Sequence, residues 1–309
     1  GPFTVADFQP GHSLKLARSD TYHGTKAASN VVEFMQYSDA DALSKALTDG
    51  SLDMAAPVSA STATGLNGKD GLTVKEGATT DKVLLAYNNG TDSLLSDEQA
   101  RKAFRYQIDA AGIASAQPDA AGALGGPISL LEPGYEDLTG LYPHDENQAG
   151  QMFSYFGAQY LTTVNLVVPE EYRSLAETIK QQIERQPRPT VNLEVLSDED
   201  YAKRIKDGKW ELTVMSMDGT DDAGIFADPD SMFHYDHTEA QQAYADARAA
   251  TNDADYEARM KAYARLISED AASDWLYTRK CFTVASTKVS GYPTSMINRR
   301  MPLAGLTVK

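Results

Sequence analysis

Leu161-Thr162-Thr163-Val164-Asn165-Leu166-Val167-Val168 reads as a strand, and Leu175, Ile179 and Ile183 after it share one face of a helix that stops at Pro187. Val191-Asn192-Leu193-Glu194-Val195-Leu196 is a second strand. Ser197 is placed to cap a helix through Tyr201 and Ile205, which Gly208 closes. Trp210-Glu211-Leu212-Thr213-Val214-Met215-Ser216-Met217 is the third strand. Strand, helix, strand, helix, strand in direct succession specifies an α/β lobe with a partly parallel sheet.

Outward from that core, the N-terminal block is richer in strands. Phe3 to Phe8 and Ser13 to Arg18 alternate apolar with polar around the Pro10-Gly11 turn pair, which predicts a hairpin. Val31 to Tyr37 predicts a strand, Ser38 or Asp39 a cap for a helix through Leu43, Ala46 and Leu47, and Gly50 its end before a strand from Leu52 to Val58. Two further strands are expected over Leu72 to Glu76 and Val83 to Tyr87. The character changes after Asn88-Asn89-Gly90: Ser96 and Gln99 form a capping-box pattern, and Ala100, Ala103, Phe104 and Ile108 lie on one helical face. Residues 111–146, rich in Ala, Gly and Pro, read as a long irregular excursion, followed by a helix near 147–157. Beyond the α/β core, a helix over about 253–272 carries Tyr256, Met260, Tyr263 and Ile267 on one stripe, and Phe282 to Ser286 is a last strand.

The chain has 309 residues, 42% apolar and 23% charged, which is ordinary globular composition for about two domains. Its formal charge of −16 opposes a nucleic-acid backbone, and no uninterrupted run of Lys and Arg is longer than two residues, as at Arg299-Arg300. Apolar runs are far shorter than the roughly 20 residues a membrane-crossing helix needs. The single cysteine, Cys281, has no second thiol for a disulfide or a metal site and is expected to be a buried, unreactive core residue.

Signatures of catalysis are absent from the sequence: there is no Gly-x-Ser-x-Gly, no His-Glu-x-x-His and no Gly-x-x-x-x-Gly-Lys-Ser/Thr. Gly122-Ala123-Leu124-Gly125-Gly126 lacks the lysine and the preceding strand of a phosphate cradle. His234, Asp236, His237 and Glu239 fit no established zinc spacing and read as a surface loop. The informative segment is Met217-Asp218-Gly219-Thr220-Asp221-Asp222-Ala223-Gly224-Ile225-Phe226-Ala227-Asp228-Pro229-Asp230, where five carboxylates follow the carboxyl end of a strand. Ligands of open α/β sheets gather at such ends, so a solvated acidic loop competes here with a carboxylate site for a ligand ammonium or a cation.

Several stretches together resemble the family 5 extracellular solute-binding proteins of ABC transporters, the oligopeptide, dipeptide and nickel-binding group. Gly1-Pro2-Phe3-Thr4-Val5 with Arg18-Ser19-Asp20-Thr21-Tyr22-His23-Gly24 is similar to that family's Gly-Pro-Tyr hairpin and its ending. Asp49-Gly50-Ser51-Leu52-Asp53-Met54 looks like its Ser-Gly-Glu-x-Asp-Ile element. Asp97-Glu98-Gln99-Ala100-Arg101-Lys102-Ala103-Phe104-Arg105-Tyr106-Gln107-Ile108-Asp109 is similar to Asp-x-x-x-Arg-x-Ala-x-x-x-x-Ile-Asp, the most specific of these matches. Gly126-Pro127-Ile128 and Asp228-Pro229-Asp230 follow in the family's order.

The resemblance implies an α/β, two-lobed periplasmic-binding-protein type II fold with mixed sheets. Residues 1–87 and 282–309 would form lobe I, whose first part is absent from this chain, and 88–281 lobe II. It implies an extracytoplasmic substrate-binding component of an ABC importer, without enzymatic activity or cofactor. Such a component takes peptides or similar small solutes into an inter-lobe cleft and delivers them to a permease. Membrane association would run only through an N-terminal lipid anchor that this chain lacks, and lobe I would expose apolar surface. The ligand-binding residues implied are Met217, Asp218, Asp221 and Asp222 at the acidic loop, where family position points first to Asp221 or Asp222 and then to Asp218 as the carboxylate for a ligand's terminal ammonium, with Tyr87 and Asn88 at the hinge. One departure stands out: the family's strand usually ends in Trp-Gly-x-Asp, where this chain has Met217-Asp218-Gly219-Thr220-Asp221-Asp222. That loss of a stacking surface favours, as the alternative, a non-transport scaffold or regulatory protein on the same fold.

Overall fold

The computed structural model describes residues 1–156 and 162–309, so Gly157 of the expected helix and Leu161 of the expected strand lie outside the described residues. The chain divides into two units, Gly1–Thr79 with Lys280–Lys309 and Thr80–Arg279.

In unit 1, β1 (Phe3–Gln9) and β2 (Ser13–Arg18) form the hairpin, turned by Gly11 at φ 72°, and β3 (Val31–Met35) adds antiparallel to β2. The register lines up Val5, Leu16 and Val32, and beside them Phe8, Leu14 and Phe34, so one face of this small sheet is apolar. Val5 and Phe8 are 65% and 61% exposed. Helix α1 (Ala40–Asp49) starts where Asp39 accepts a hydrogen bond from the Ala42 amide and ends at left-handed Gly50. Strand β4 (Met54–Val58) and helix α2 (Ala60–Leu66), which Ser59 caps, follow. They close a small core of Leu47, Val58, Ala63, Leu66 and Val284.

Strand β5 (Leu72–Tyr87) is one continuous strand where the sequence suggests two. The division between the units falls inside it, because Lys82 to Tyr87 pair residue by residue with a strand of unit 2. Gly77 lies along this strand without turning it; a Cβ there would stand 2.2 Å from the Thr294 carbonyl oxygen, so only glycine admits that approach.

Unit 2 continues with α3 (Glu98–Gln107), α4 (Ala110–Ala116), β6 (Ala120–Ala123) and α5 (Glu146–Tyr155). The α/β core follows as β7 (Thr163–Pro169), α6 (Arg173–Ile183), β8 (Thr190–Leu196), α7 (Asp198–Lys206) and β9 (Leu212–Met217). Then come α8 (Thr238–Arg248), α9 (Asp253–Glu269) and β10 (Ser273–Ser286), with β11 (Val289–Ser290) and β12 (Thr307–Val308) back in unit 1. Asp97, not Ser96, caps α3, since its carboxylate accepts from the Gln99 amide while Ser96 ends a short 3-10 turn. The excursion expected over 111–146 contains α4 and β6; alanine-rich helices carry little apolar periodicity to betray them.

Strand β7 pairs parallel with β8 and β9, and β5 pairs antiparallel with β9. Alternate residues of β5 feed two different cores. Val83, Leu85 and Tyr87 pack with Phe104, Leu166 and Ile179, whereas Leu84 and Ala86 pack with Val167, Phe226, Tyr263 and Trp275. Both faces of the sheet are covered, which is why its strands read as near-continuous apolar runs.

Two buried arginines tie α3 to the end of α9 and the start of β10. Arg101 meets Asp270 at 2.9 Å; Arg105 meets Asp274 at 3.3 Å and donates to the Ser268 and Gly125 carbonyls. Burial pushes the Asp274 carboxyl up to about 6 against the pull of Arg105, so at neutral pH it is an ionised group that depends on the guanidinium. Arg105→Met should therefore cost about 3–5 kcal/mol in urea denaturation at pH 7.5, as breaking a buried pair does; a loss below about 1 kcal/mol would show the pair to be dispensable.

Candidate functional site

The acidic loop begins where β9 ends. Met217, its last residue, lies opposite Lys82 in the antiparallel ladder. The lysine is 1% exposed, and its Nζ lies 2.9 Å from Glu132 Oε2 and 3.0 Å from Asp222 Oδ1. It also donates to the Thr80 carbonyl at 3.0 Å and the Gly219 carbonyl at 3.2 Å. One ammonium thereby joins the strand that carries it, the loop after β9, and the segment after β6.

The partners are themselves held. Glu132 Oε2 accepts from the Ser129 amide at 2.8 Å, and Asp222 Oδ2 from the Gly219 amide at 2.8 Å, which folds the loop back on itself. Asp221 faces another way: it accepts from the Tyr244 hydroxyl at 3.1 Å and pairs with Arg248 at 3.0 Å on α8. Asp218 accepts from the Thr80 hydroxyl at 2.7 Å. Below them the buried Tyr263 hydroxyl donates to the Ala223 carbonyl at 2.9 Å. A loop with five carboxylates is thus fixed by α8, α9 and β5.

Two carboxylates on one buried ammonium leave an excess negative charge. Burial pushes the Asp222 carboxyl up to about 6; Lys82 and the Gly219 amide pull it down, and Glu132 adds to the rise. The 3.0 Å ion pair and the raised value are compatible, because desolvation outweighs a cation that Glu132 already shares.

The six residues singled out in the sequence do not converge. Met217, Asp218, Asp221 and Asp222 share one end of β9, whereas Tyr87 pairs with Leu212 at the other end. At about 3.4 Å per residue that is a separation of roughly 17 Å along the strand. Tyr87 is fully buried with its ring 6.3 Å from Phe104, and burial holds its hydroxyl well above the usual range. Asn88 is a buried brace, donating to the Trp210 carbonyl at 2.9 Å and accepting from the Gly90 amide at 3.0 Å. Beside it opens a polar cavity of about 610 Å³ whose lining includes Arg204, Glu211 and His234, and there Arg204 is engaged by both oxygens of Glu194.

His237 is a helix cap, its Nδ1 accepting from the Ala240 amide, and it starts α8, an element the sequence reading leaves as loop. Among the described residues no group of three His, Cys, Asp or Glu side chains is arranged to hold a metal ion. Lys82 and Glu132 escaped the sequence reading. Their only signals were a cation at the head of the apolar run Lys82 to Tyr87 and an acid in the Glu132-Pro133-Gly134 turn.

Residues 1–244 match the sequence model of the bacterial extracellular solute-binding proteins, family 5 (middle region), and the chain belongs to that family. A comparison with curated protein sequences finds no match. Solved structures share the type II binding-protein fold across 100% of this chain. The ABC transporter substrate-binding protein CtaP of Listeria monocytogenes superposes with a TM-score of 0.85 at 15% identity over 66% of its own length. The oligopeptide-binding protein AppA of Bacillus subtilis, solved with a nonapeptide, gives 0.74 at 16% over 66%, and NikA of Brucella suis, solved with Fe(III)-EDTA, gives 0.80 at 16% over 68%. This chain therefore spans about two thirds of the length of these structures. The family is one of binding proteins and is extracytoplasmic, and among the described residues no helix is long and apolar enough to cross a membrane.

A folded carboxyl that ionises near 6 instead of its usual 3.8 contributes stability below pH about 4 that is lost as the pH rises through 6. At about 1.4 kcal/mol per unit this amounts to roughly 2–3 kcal/mol for Asp222. Asp222→Asn should remove that part of the decline between pH 4 and 6 in denaturation curves, leaving the part due to Asp274. An unchanged slope would mean that Asp222 titrates normally.

Proposed function

We propose that the chain binds a small solute, peptides first, as the receptor component of an ABC importer that hands its ligand to a permease. Units 1 and 2 are taken as lobes I and II of that receptor. The observation that carries this reading is the acidic loop at the carboxyl end of β9, a position where α/β sheets place ligands, built rigidly within a chain of the solute-binding family. Charge supports it: 35 of the 44 Asp and Glu but only 17 of the 28 Lys and Arg fall in unit 2, so its field attracts cationic solutes and free amino termini.

Within the loop the roles divide. Asp222 and Asp221 pair with Lys82 and Arg248 and shape the loop; Asp218, which accepts from the Thr80 hydroxyl, and Met217 stand next to the strand end and are the proposed contacts for solute. Tyr87 and Asn88 support the sheet at its far end. A charge-assisted hydrogen bond from a ligand ammonium to Asp218 would contribute about 1.5–3 kcal/mol, with main-chain contacts supplying much of the rest, since a receptor for many peptides cannot rely on particular side chains.

A thermal-shift series with short peptides at rising concentration tests this. At 100 times its dissociation constant a ligand adds about 2.7 kcal/mol, a rise of several degrees in Tm. Free-amine peptides should give that rise, and Asp218→Asn should weaken them more than their N-acetylated forms. No shift with any peptide would favour the scaffold reading.

A further inference from the structure

Lys82 is the cation that holds the acidic loop to β5. Arg101 and Arg105 join α3 to the segment between α9 and β10, which the core already holds together. Lys82 donates three hydrogen bonds and makes one further ion pair, and two of these four contacts, the Gly219 carbonyl and the ion-paired Asp222 Oδ1, belong to the acidic loop. The other two, Glu132 Oε2 and the Thr80 carbonyl, lie on segments outside it. The three hydrogens of the ammonium go to Thr80, Glu132 and Gly219, and its charge meets Asp222 at 3.0 Å, so it acts as a hub that sets where Gly219 and Asp222 stand relative to β5.

The loop's own sequence cannot impose this shape. Met217-Asp218-Gly219-Thr220-Asp221-Asp222 contains a glycine and three like charges, which repel one another and favour an open, solvated conformation. The Asp222 carboxylate closes a short ring onto the Gly219 amide, and Lys82 neutralises the carboxylate that does so. Apolar packing flanks the charged stretch, with Met217 before it and Ala223 and Phe226 after it. The two residues proposed to meet solute, Met217 and Asp218, immediately precede the clamped segment.

We propose that Lys82 is a positioning residue for the solute site: its buried ammonium clamps Gly219 and Asp222, and so holds the loop after β9 in the shape that receives ligand. The site assignment rests on the reading of the acidic loop given above; the clamping of the loop does not. Lysine suits this place because its single point charge can be shared among oxygens arriving from several directions, where a planar guanidinium would select a fork of two.

The test separates clamping from mere charge balance. Lys82→Met alone strands two buried carboxylates and is expected to destabilise the protein, so the decisive variant is the triple Lys82→Met, Glu132→Gln, Asp222→Asn, which removes every charge of the cluster at nearly constant size. Hydrogen exchange of the 309-residue chain is followed over peptides covering Asp218–Ile225, with the α3 and β7 segments as internal controls. In the triple variant the loop amides should exchange at least tenfold faster than in wild type while α3 and β7 keep their protection. Affinity for a free-amine tripeptide such as trialanine should fall at least tenfold. Glu132→Gln alone, which leaves Lys82 on the loop, should change loop exchange less than threefold. Wild-type loop protection in the triple variant would overturn the proposal, as would loss of protection spread evenly over unit 2. If trialanine and longer peptides fail to bind wild type, the peptide reading falls, and loop exchange alone still decides whether Lys82 clamps the loop.

Discussion

A lysine ammonium with 1% of its surface exposed is the constraint on which the acidic end of unit 2 depends. Removing a full charge from water costs several kcal/mol even after the protein relaxes, and only close, well-directed oxygens offset it. Lys82 has three such acceptors and a fourth oxygen at ion-pair distance, and each comes from a segment that must therefore be in place: its own strand at Thr80, the turn at Glu132, and the loop at Gly219 and, by charge, Asp222. The cost runs in both directions. Once the strand commits the lysine to the interior, the chain is forced to bring carboxylates to it; without the lysine, those carboxylates would have no reason to leave solvent.

The same requirement explains why irregular chain is tolerated beside the sheet. The residues after β6 and after β9 lack ladder partners, yet several of their polar groups are answered by side chains. Ser129 donates its amide to Glu132, Gly219 donates to Asp222, and Tyr263 donates to the Ala223 carbonyl. Polar side chains replace the ladder where the chain leaves the sheet, so the sheet serves as a scaffold that positions these loops.

Much of this was legible in the sequence and some was not, for identifiable reasons. The β7-α6-β8-α7-β9 succession, the Ser197 cap and the closing Gly50 are local, so patterning alone revealed them, and it narrowed the first cap to Ser38 or Asp39, of which the structure uses Asp39. The continuity of β5 was hidden because Glu76-Gly77-Ala78 looks like a break, and only the Thr294 approach shows why a glycine belongs there. Helices α2 and α8 were missed because Ala, Thr and Gln give no apolar stripe, although Ser59 and His237 cap them. The acidic loop was identified from its composition and its place after a strand. Its cation was not, because Lys82 and Glu132 lie 50 residues apart and neither neighbourhood advertises the other. The pairing follows from tertiary structure, as do the roughly 17 Å that separate Tyr87 and Asn88 from the loop.

If the ammonium organises this end of the sheet, Lys82 and Asp222 are energetically coupled across the interior. A double-mutant cycle with Lys82→Met, Asp222→Asn and both together, read by urea denaturation at pH 7.5, measures that coupling directly. The expected result is a favourable coupling of at least about 1.5 kcal/mol, with the double variant markedly more stable than Lys82→Met alone. A coupling below about 0.5 kcal/mol would mean that the two groups ignore each other, and the loop would then owe its shape to something else.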